Sequence, residues 1–205
     1  MLVLGLTGSI GMGKTTVAAM LEELGFPVFS ADAFLHDAMA RGGEAVAPLA
    51  VLFPEAVRGG SVDRVLLGAL VFSDPQKLKK LENALHPIVR KAEERFIAAA
   101  KKGNARAAIL EIPLLFETKA EKLCDKVLCV STPLHVQRAR VLKRHHMTEE
   151  KFRAIRARQM THAEKKKRSD IIIPTDITPE QTRSALIETL ATLGLMDKAP
   201  APTSP

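Results

Sequence analysis

Short apolar runs alternate with amphipathic stretches along most of the chain, and this alternation predicts the fold class. The run Leu2–Leu6 predicts a short buried strand. Apolar residues on one helical face predict a helix from Thr15 to Leu24, which Gly25 ends. Further strand-like runs lie at residues 27–30, 107–112, 126–130 and 171–173. Five strands alternating with helices predict an α/β protein with a parallel sheet.

The segment between the second and third predicted strands has a mostly helical pattern. It extends from Asp32 to about Lys102, with glycine-rich breaks at Arg41–Gly43 and Arg58–Gly60. Pro87 is expected in the first turn of a helix, where proline costs no hydrogen bond. The segment is therefore expected to be a helical insertion.

The C-terminal part of the chain carries two further signals. Residues Thr178–Gln181 have the sequence Thr-Pro-Glu-Gln, which is typical of a capping box at the start of a helix. The tail, residues 198–205, is rich in Pro, Ala, Ser and Thr, and this composition predicts disorder.

The composition is that of an ordinary globular protein, with 46% hydrophobic and 26% charged residues among 205. No apolar run approaches the roughly 18 residues of a membrane-spanning helix. The apolar opening lacks the basic stretch of a signal peptide, so we expect a cytoplasmic protein with no membrane partner. The cysteines, Cys124 and Cys129, fit that compartment, and Cys129 is expected to be a buried structural thiol.

The net charge of +7 is concentrated in one basic segment, residues 138–168. It contains twelve Lys or Arg against three Glu, which leaves the rest of the chain slightly acidic. Such a segment is typical of a nucleic-acid surface, of a site for a compact polyphosphate, or of a solvated helical face. Because the chain has no Trp and no Tyr to stack on bases, we expect no nucleic-acid partner.

Residues 8–15 form the strongest motif in the sequence. Their sequence, Gly-Ser-Ile-Gly-Met-Gly-Lys-Thr, matches the phosphate-binding P-loop and lies between a predicted strand and a predicted helix. In such a loop glycines let backbone amides face phosphate oxygens, Lys14 reaches the β- and γ-phosphates, and the Thr15 hydroxyl ligates Mg²⁺. A nucleoside triphosphate and Mg²⁺ are therefore the expected cofactors.

A P-loop alone leaves GTPase, ATPase and kinase open. The sequence contains neither Asp-x-x-Gly nor Asn-Lys-x-Asp, which disfavours a switch GTPase, and motors and helicases are usually larger. A small kinase remains, and it needs a carboxylate near the acceptor hydroxyl. Asp32 follows the second predicted strand, which we expect beside the P-loop strand. It is a candidate general base, or else the N-cap of the next helix.

Taken in order, the motifs resemble those of the dephospho-CoA kinase family over roughly residues 2–190. No single motif after the P-loop is decisive, but their order and spacing together are highly specific. The motifs are Gly5-Leu6-Thr7-Gly8, Ser30-Ala31-Asp32, Val62-Asp63-Arg64, Val71-Phe72, His86-Pro87 with Arg90, Glu111-Ile112-Pro113-Leu114-Leu115-Phe116-Glu117, Gln137–Arg144, Gln159 with Lys165, and Ser169-Asp170.

The resemblance implies ATP-dependent phosphorylation of the ribose 3′-hydroxyl of dephospho-CoA, the last step of coenzyme A synthesis. It implies a P-loop nucleoside triphosphate hydrolase-like three-layer fold, with a five-stranded parallel sheet in the nucleotide-kinase-like order 2-3-1-4-5. The core would comprise residues 1–32, 105–137 and 169–197. A helical insertion, 33–104, would bind dephospho-CoA, and a basic helical lid, 138–168, would close over ATP.

The resemblance also implies roles for individual residues. Asp32 would be the general base, while Lys14 and Arg140 would neutralise charge during transfer. The nucleotide-binding residues would be Gly8, Gly11, Met12, Gly13, Lys14, Thr15, Thr16 and Arg144, with Thr15 also on the metal. The substrate-binding residues would be Asp32, Arg64, His86, Arg90, Glu111, Pro113 and Leu114.

Several of these residues have a structural alternative. His86 also suits a helix entry beside Pro87. Glu111 could accept from buried backbone amides or help to hold Mg²⁺ through water. Arg64 and Arg90 could clasp phosphates of the acceptor or cover apolar surface with their stems.

Two positions depart from the family pattern. Pro174-Thr175 stands where many members have Asp-Asn, and Met12 replaces a more usual small polar residue. Met12 still contributes a backbone amide, so phosphate binding is expected to persist. The alternative functions are another P-loop small-molecule kinase, of the nucleoside monophosphate type, and a P-loop nucleic-acid-binding protein. The protein is expected to be a monomer or a small homo-oligomer.

Overall fold

A computed structural model describes residues 1–72 and 74–197, so the predicted tail, 198–205, lies outside the described residues. The strands are β1 (Leu2–Thr7), β2 (Val28–Ser30), β3 (Val57–Arg58), β4 (Ser61–Val62), β5 (Ala107–Glu111), β6 (Lys126–Ser131) and β7 (Ile171–Pro174). The helices are α1 (Lys14–Glu23), α2 (Ala31–Ala38), α3 (Val46–Leu52), α4 (Arg64–Phe72), α5 (Pro75–Lys102), α6 (Leu134–Leu142), α7 (Glu149–Arg158), α8 (His162–Arg168) and α9 (Pro179–Thr192). Short 3₁₀ turns lie at Pro54–Ala56 and Ala120–Leu123.

The main sheet contains five strands in the order β2-β5-β1-β6-β7, and β3 pairs with β4 in a separate hairpin. β1 pairs in parallel with β5 and β6, and β6 pairs in parallel with β7. Without the hairpin this order is 2-3-1-4-5, so the predicted fold class is confirmed. The expectation that β2 lies beside β1 is wrong, because β5 occupies that position through the register Leu2↔Ala107 to Leu6↔Glu111.

The chain divides into two compact units, which we call the first unit (1–28 and from 100 onward) and the second unit (29–99). The core of the first unit joins the central strands to helices α1 and α9. Its fully buried members include Leu4, Leu6, Val17, Leu21, Leu186 and Leu190. The second unit has its own core, which includes Leu49, Phe53, Ala56, Leu67, Val71 and Leu85. Each unit therefore has a separate apolar interior.

Helix α5 begins at Pro75, so the prediction that Pro87 opens a helix is wrong. Asp74 Oδ1 accepts hydrogen bonds from the backbone N–H groups of Gln76 (2.9 Å) and Lys77 (3.1 Å), which makes Asp74 the cap and Pro75 the first helical residue. Pro87 lies inside the helix, where proline removes a backbone hydrogen bond. Pro87 itself is exposed, whereas Leu85 and Ile88 pack in the core of the second unit, so the apolar face of α5 continues past the proline.

The second unit also contains a hairpin where the sequence predicted only a break between helices. Val57 pairs with Val62 and Arg58 with Ser61, in antiparallel register. The two connecting glycines, residues 59 and 60, have φ of 56° and 78°, as the favoured two-residue hairpin turns require. The insertion is thus mostly, not wholly, helical.

Other local predictions are confirmed in the described residues. Thr178 Oγ1 accepts from Gln181 N while the Gln181 side chain accepts from Thr178 N, so the capping box opens α9. Cys129 is fully buried in β6, and burial raises the pKa of its thiol, as expected for an unreactive structural cysteine. Among the described residues, no helix is both long enough and apolar enough to cross a membrane.

Candidate active site

The P-loop connects β1, the central strand, to the N-terminus of α1. Gly11 and Gly13 adopt positive φ, 75° and 86°. A Cβ at Gly8 would lie 2.3 Å from Cγ2 of Val130, and a Cβ at Gly11 would lie 2.5 Å from Cγ2 of Val141. Glycine is therefore required at positions 8 and 11 because β6 and α6 pack directly against the loop backbone.

Among the residues that the structure describes, three polar side chains from outside the P-loop hydrogen-bond to its backbone. Gln137 Nε2, from α6, donates to Ile10 O at 2.7 Å. Gln159 Oε1, just after α7, accepts from Ile10 N at 3.2 Å. Thr175 Oγ1, just after β7, donates to Met12 O at 2.7 Å. These contacts fix the path of the loop from three separate elements.

The two positions that depart from the family pattern contact each other. Thr175 is bonded to the Met12 carbonyl, while the Met12 side chain is 2% exposed and belongs to the apolar core. Its Sδ accepts from Thr132 N at 3.3 Å. The Met12 side chain therefore packs in the core beneath the P-loop, while its backbone forms part of the loop itself.

Lys14, Thr15 and Glu111 meet where α1 begins and β5 ends. Lys14 Nζ donates to Glu111 Oε1 at 2.6 Å, and Thr15 Oγ1 donates to the same oxygen at 3.4 Å. The Lys14 and Glu111 side chains are 12% and 6% exposed, so water screens this pair weakly. Within the part of the chain that the structure describes, Glu111 accepts from these two side chains and not from backbone amides, which was one interpretation of the sequence.

A cavity of about 340 Å³ opens beside the P-loop. Its volume is in the range of small-molecule sites. The predicted nucleotide-binding or catalytic residues that line it are Gly11, Gly13, Thr16, Arg140 and Arg144. The structure therefore brings the basic side chains of α6 and the following turn to the same opening as the P-loop.

Arg140 is oriented by the segment after β7. Its Nη2 donates to Thr175 O at 2.6 Å, and its Nη1 lies 3.5 Å from Thr175 Oγ1. Thr175 therefore contacts both the P-loop and the arginine that the resemblance assigns to catalysis.

Sequence reasoning missed several residues of the cavity. Ile177, Pro179 and Thr182 line it from beyond β7, and Met20 lines it from α1. One signal was present: ligands in open parallel sheets bind outside the carboxyl ends of the strands, and Ile177 lies just past such an end. Thr182 was harder to identify because it interrupts the apolar face of α9 with a buried polar residue.

The loop after β5 places Pro113 and Leu114. Pro113 O accepts from Thr7 Oγ1 at 3.3 Å and from Lys165 Nζ at 2.6 Å. The Lys165 side chain is fully buried and pairs with Glu117 at 3.0 Å. Lys165 is therefore a structural cation of the basic segment, whereas Leu114 is exposed.

Asp32, in the second unit, occupies the first turn of α2. The N-cap of this helix is Ser30, so the interpretation of Asp32 as the N-cap is wrong. Asp32 is exposed, and the helix N-terminus favours its negative charge.

The other predicted substrate-binding residues of the second unit lie on α4 and α5. Arg64 Nη1 is hydrogen-bonded to Nδ1 of His36. His86 is exposed in the interior of α5, so the helix-entry interpretation is wrong. Arg90 Nη1 lies 3.0 Å from Glu93 Oε2. Arg90 therefore belongs to an ion pair within its own helix.

Comparisons with known proteins agree with these motifs. The profile of the family described as dephospho-CoA kinase matches residues 2–180. A dephospho-CoA kinase of Paramagnetospirillum magneticum is 52% identical over 166 residues, which cover 81% of this chain and 78% of the relative. A crystal structure of a Thermus thermophilus protein has a TM-score of 0.80 at 39% identity, over 94% of this chain and 97% of that one.

A second solved structure extends the likeness. Dephospho-CoA kinase from Campylobacter jejuni has a TM-score of 0.64 at 27% identity, over 93% of this chain and 96% of that chain. The family profile spans the P-loop, the loop after β5 and the basic segment alike. The chain therefore belongs to the dephospho-CoA kinase family.

Proposed function

We propose that this protein transfers the γ-phosphoryl group of ATP to the ribose 3′-hydroxyl of dephospho-CoA, giving coenzyme A and ADP in the last step of coenzyme A biosynthesis. Family membership supports the reaction, because relatives that match most of the chain are named dephospho-CoA kinase. The bond from the γ-phosphorus to the bridging oxygen of ATP breaks. A bond from that phosphorus to the 3′ oxygen forms, and the hydroxyl proton leaves to a base.

One observation carries the proposal: Lys14 and Arg140 are both held by partners beside the P-loop. Glu111 orients the Lys14 ammonium, and the Thr175 carbonyl orients the Arg140 guanidinium. Phosphoryl transfer requires positioning and positive charge more than it requires covalent chemistry. We assign both cations the role of stabilising the negative charge that develops on the phosphoryl group during transfer.

The cavity beside the P-loop would hold ATP. The P-loop amides and the N-terminus of α1 would bind the phosphates, since both present N–H donors to anions. Ile177 and Pro179 would offer apolar surface to the base, and Arg144 would add positive charge at the same opening.

Mg²⁺ fits the oxygen donors at the start of α1. Thr15 offers a hydroxyl and Glu111 a carboxylate within hydrogen-bonding distance of each other. Magnesium commonly takes only one or two protein oxygens, together with water and substrate phosphates. When bound, the ion would neutralise charge on the β- and γ-phosphates.

The acceptor side of the proposal follows the family resemblance. Asp32 would accept the proton of the 3′-hydroxyl, and its exposure in the first turn of α2 leaves the carboxylate available. Dephospho-CoA would bind the insertion, 33–104, with contacts from His86, Arg64 and Arg90. In the first unit, the resemblance assigns Glu111, Pro113 and Leu114 to substrate binding. The basic segment, 138–168, would close over ATP and exclude water.

A coupled assay that detects the nucleoside diphosphate product, ADP or GDP, tests the function. Purified full-length protein is incubated with Mg²⁺, dephospho-CoA and either ATP or GTP, and the product is identified as coenzyme A by mass and by its 3′-phosphate. The matched controls are a set of nucleoside monophosphate acceptors and the Lys14→Ala variant. We expect turnover with ATP and dephospho-CoA only. Faster phosphorylation of a nucleoside monophosphate would reject the acceptor and favour the alternative kinase.

A further inference from the structure

Two buried side chains donate hydrogen bonds to carbonyl groups of the P-loop, and these bonds indicate a function for both side chains. A phosphate-binding loop must turn its N–H groups toward the anion, and its carbonyl oxygens would repel that anion if they faced it. In a trans peptide unit the carbonyl and the N–H point in opposite directions. A donor that holds one carbonyl therefore also aims the N–H of the next residue.

Gln137 holds one of these peptide units. Its Nε2 donates to Ile10 O at 2.7 Å, and the N–H of the same peptide unit belongs to Gly11, which lines the cavity. Gln137 is 2% exposed, so water does not compete for this bond. Its backbone N–H is bonded to Pro133 O at 3.0 Å in the first turn of α6, which fixes the origin of the side chain.

Thr175 holds a second unit in the same manner. Its hydroxyl donates to Met12 O at 2.7 Å, and the N–H of that peptide unit belongs to Gly13, which also lines the cavity. Thr175 is 6% exposed, and its backbone N–H is bonded to Ser131 O at 2.9 Å. The hydroxyl is thus anchored to the ends of β6 and β7.

We propose that Gln137 and Thr175 are positioning residues that preorganise the P-loop for the triphosphate, by holding the Ile10 and Met12 carbonyls away from it. Neither side chain needs to touch the nucleotide phosphates. Each removes a reorientation of the backbone that binding would otherwise require, and preorganisation of this kind increases affinity. The inference rests on the part of the proposed function that places ATP at the P-loop.

The test measures nucleotide affinity without an acceptor, using full-length protein and displacement of a fluorescent ADP analogue. Thr175→Val keeps the shape and removes the donor, and Thr175→Ser keeps the donor. Gln137→Met removes the other donor and does not disturb Arg140, whose Nη1 lies 3.5 Å from the Thr175 hydroxyl. Thr192→Val is the matched control, because it deletes an exposed hydroxyl on α9 that bonds Glu188 O.

We expect Thr175→Val and Gln137→Met each to weaken ATP and ADP binding by about tenfold, because the released carbonyl can turn toward the anion site in the free protein and binding must reverse that turn. Adenosine affinity should stay within about twofold, because adenosine has no phosphates. Thr175→Ser should bind ATP nearly as the wild type does, and Thr192→Val should be unchanged. If the two side chains were purely structural, the substitutions would lower the melting temperature but would change the affinities for ATP and adenosine by the same factor.

The proposal is overturned if folded Thr175→Val and Gln137→Met bind ATP within about twofold of the wild type, or if adenosine loses as much affinity as ATP. It is also overturned if Thr175→Ser is as weak as Thr175→Val. If both isosteric variants fail to fold, the same measurements are made on Gln137→Asn. Its side chain is one methylene shorter, so its amide no longer reaches the Ile10 carbonyl. The same criteria then apply to its ATP and adenosine affinities. Failure of the wild type itself to bind ATP would overturn the proposed function as well, whereas a wrong acceptor would leave this test unaffected.

Discussion

Lys14 and Glu111 form a nearly buried ion pair that keeps a positive charge in the P-loop. Removing one partner of such a pair leaves the other charge uncompensated, which is costly. In the proposed mechanism, Lys14 would exchange part of its contact with Glu111 for the phosphate oxygens when the γ-phosphate binds. The pair therefore positions the ammonium before the nucleotide arrives.

Lys14→Ala should lower kcat by about 10²-fold or more, because the transferring phosphate loses a charge-stabilising group. The matched control is Lys126→Ala, which breaks an ion pair with Asp170 at the start of β6, outside the cavity lining. Turnover of both variants is measured with dephospho-CoA after their folds are compared by circular dichroism. Near-wild-type kcat for folded Lys14→Ala would contradict its role in transfer.

The Asp32→Asn variant tests whether the Asp32 carboxylate is the general base or has only a structural role. The substitution keeps the shape but removes the proton acceptor, so kcat should fall by about 10² to 10⁴ while ATP affinity changes by only a few-fold. Asp37→Asn, at an exposed position of the same helix, is the control. Steady-state kinetics and nucleotide binding are both required. Ordinary turnover by a folded Asp32→Asn enzyme would direct the search to Glu111.

The sequence predicted the P-loop residues because the motif is contiguous and each residue has a defined chemical task. It did not predict the partners of Lys14 or of the Met12 carbonyl. Glu111 and Thr175 reach the P-loop through parallel strand pairing, over sequence separations of 97 and 163 residues. Such contacts follow from the strand order, which local periodicity does not determine. Thr182 was missed for a different reason, because it is a buried polar residue within the apolar face of α9.

At the scale of elements, the basic segment divides its charges between structure and the cavity. Arg138 and Arg153 both pair with Glu149, and Lys165 is buried against Glu117. Arg140, by contrast, lines the cavity and is held by Thr175. The net charge of the segment does not show which cations are structural and which line the cavity. Only their burial and their ion-pair partners distinguish them.

The comparison of Arg140→Ala with Arg153→Ala tests this division. Arg140→Ala should reduce kcat by about tenfold or more, since the substitution removes the cation that we propose to stabilise the transferring phosphate. The Arg153 side chain is 76% exposed and pairs only with Glu149 among its described ion pairs, so its loss should change kcat less than about twofold. Both rates are measured at saturating ATP and dephospho-CoA. Equal and small effects would make Arg140 a structural residue.

The helices of the second unit show where local signals compete. Proline at position 87 suggested a helix start, yet Asp74 followed by Pro75 provides a stronger one, with a side-chain cap and proline at the first helical position. The strand order was predicted only through the family resemblance, since the residues alone placed β2 next to β1. Alternation of strands and helices determines the fold class, but a long insertion obscures which strands are neighbours.

At the scale of the whole molecule, a buried glutamate outside the P-loop makes the stability of the fold depend on pH. The Glu93 side chain on α5 is 3% exposed. Burial raises the pKa of Glu93 above its ordinary value, and the nearby Arg90 only partly opposes this. The folded chain therefore binds the Glu93 proton more tightly than the unfolded chain does. It follows that the contribution of Glu93 to the free energy of unfolding decreases as pH rises from about 4.5 through the raised pKa.

Glu93→Gln removes this titration and makes the pH dependence measurable. The free energy of unfolding of Glu93→Gln minus that of the wild type should increase as pH rises from about 4 to 7, because only the wild type acquires a buried negative charge. Urea denaturation at several pH values measures both proteins, and shared titrations cancel in the difference. Glu82→Gln, at an exposed position of the same helix, is the control and should show no such trend. A difference that stays flat or decreases with pH would mean that Arg90 compensates the Glu93 charge fully in the folded protein.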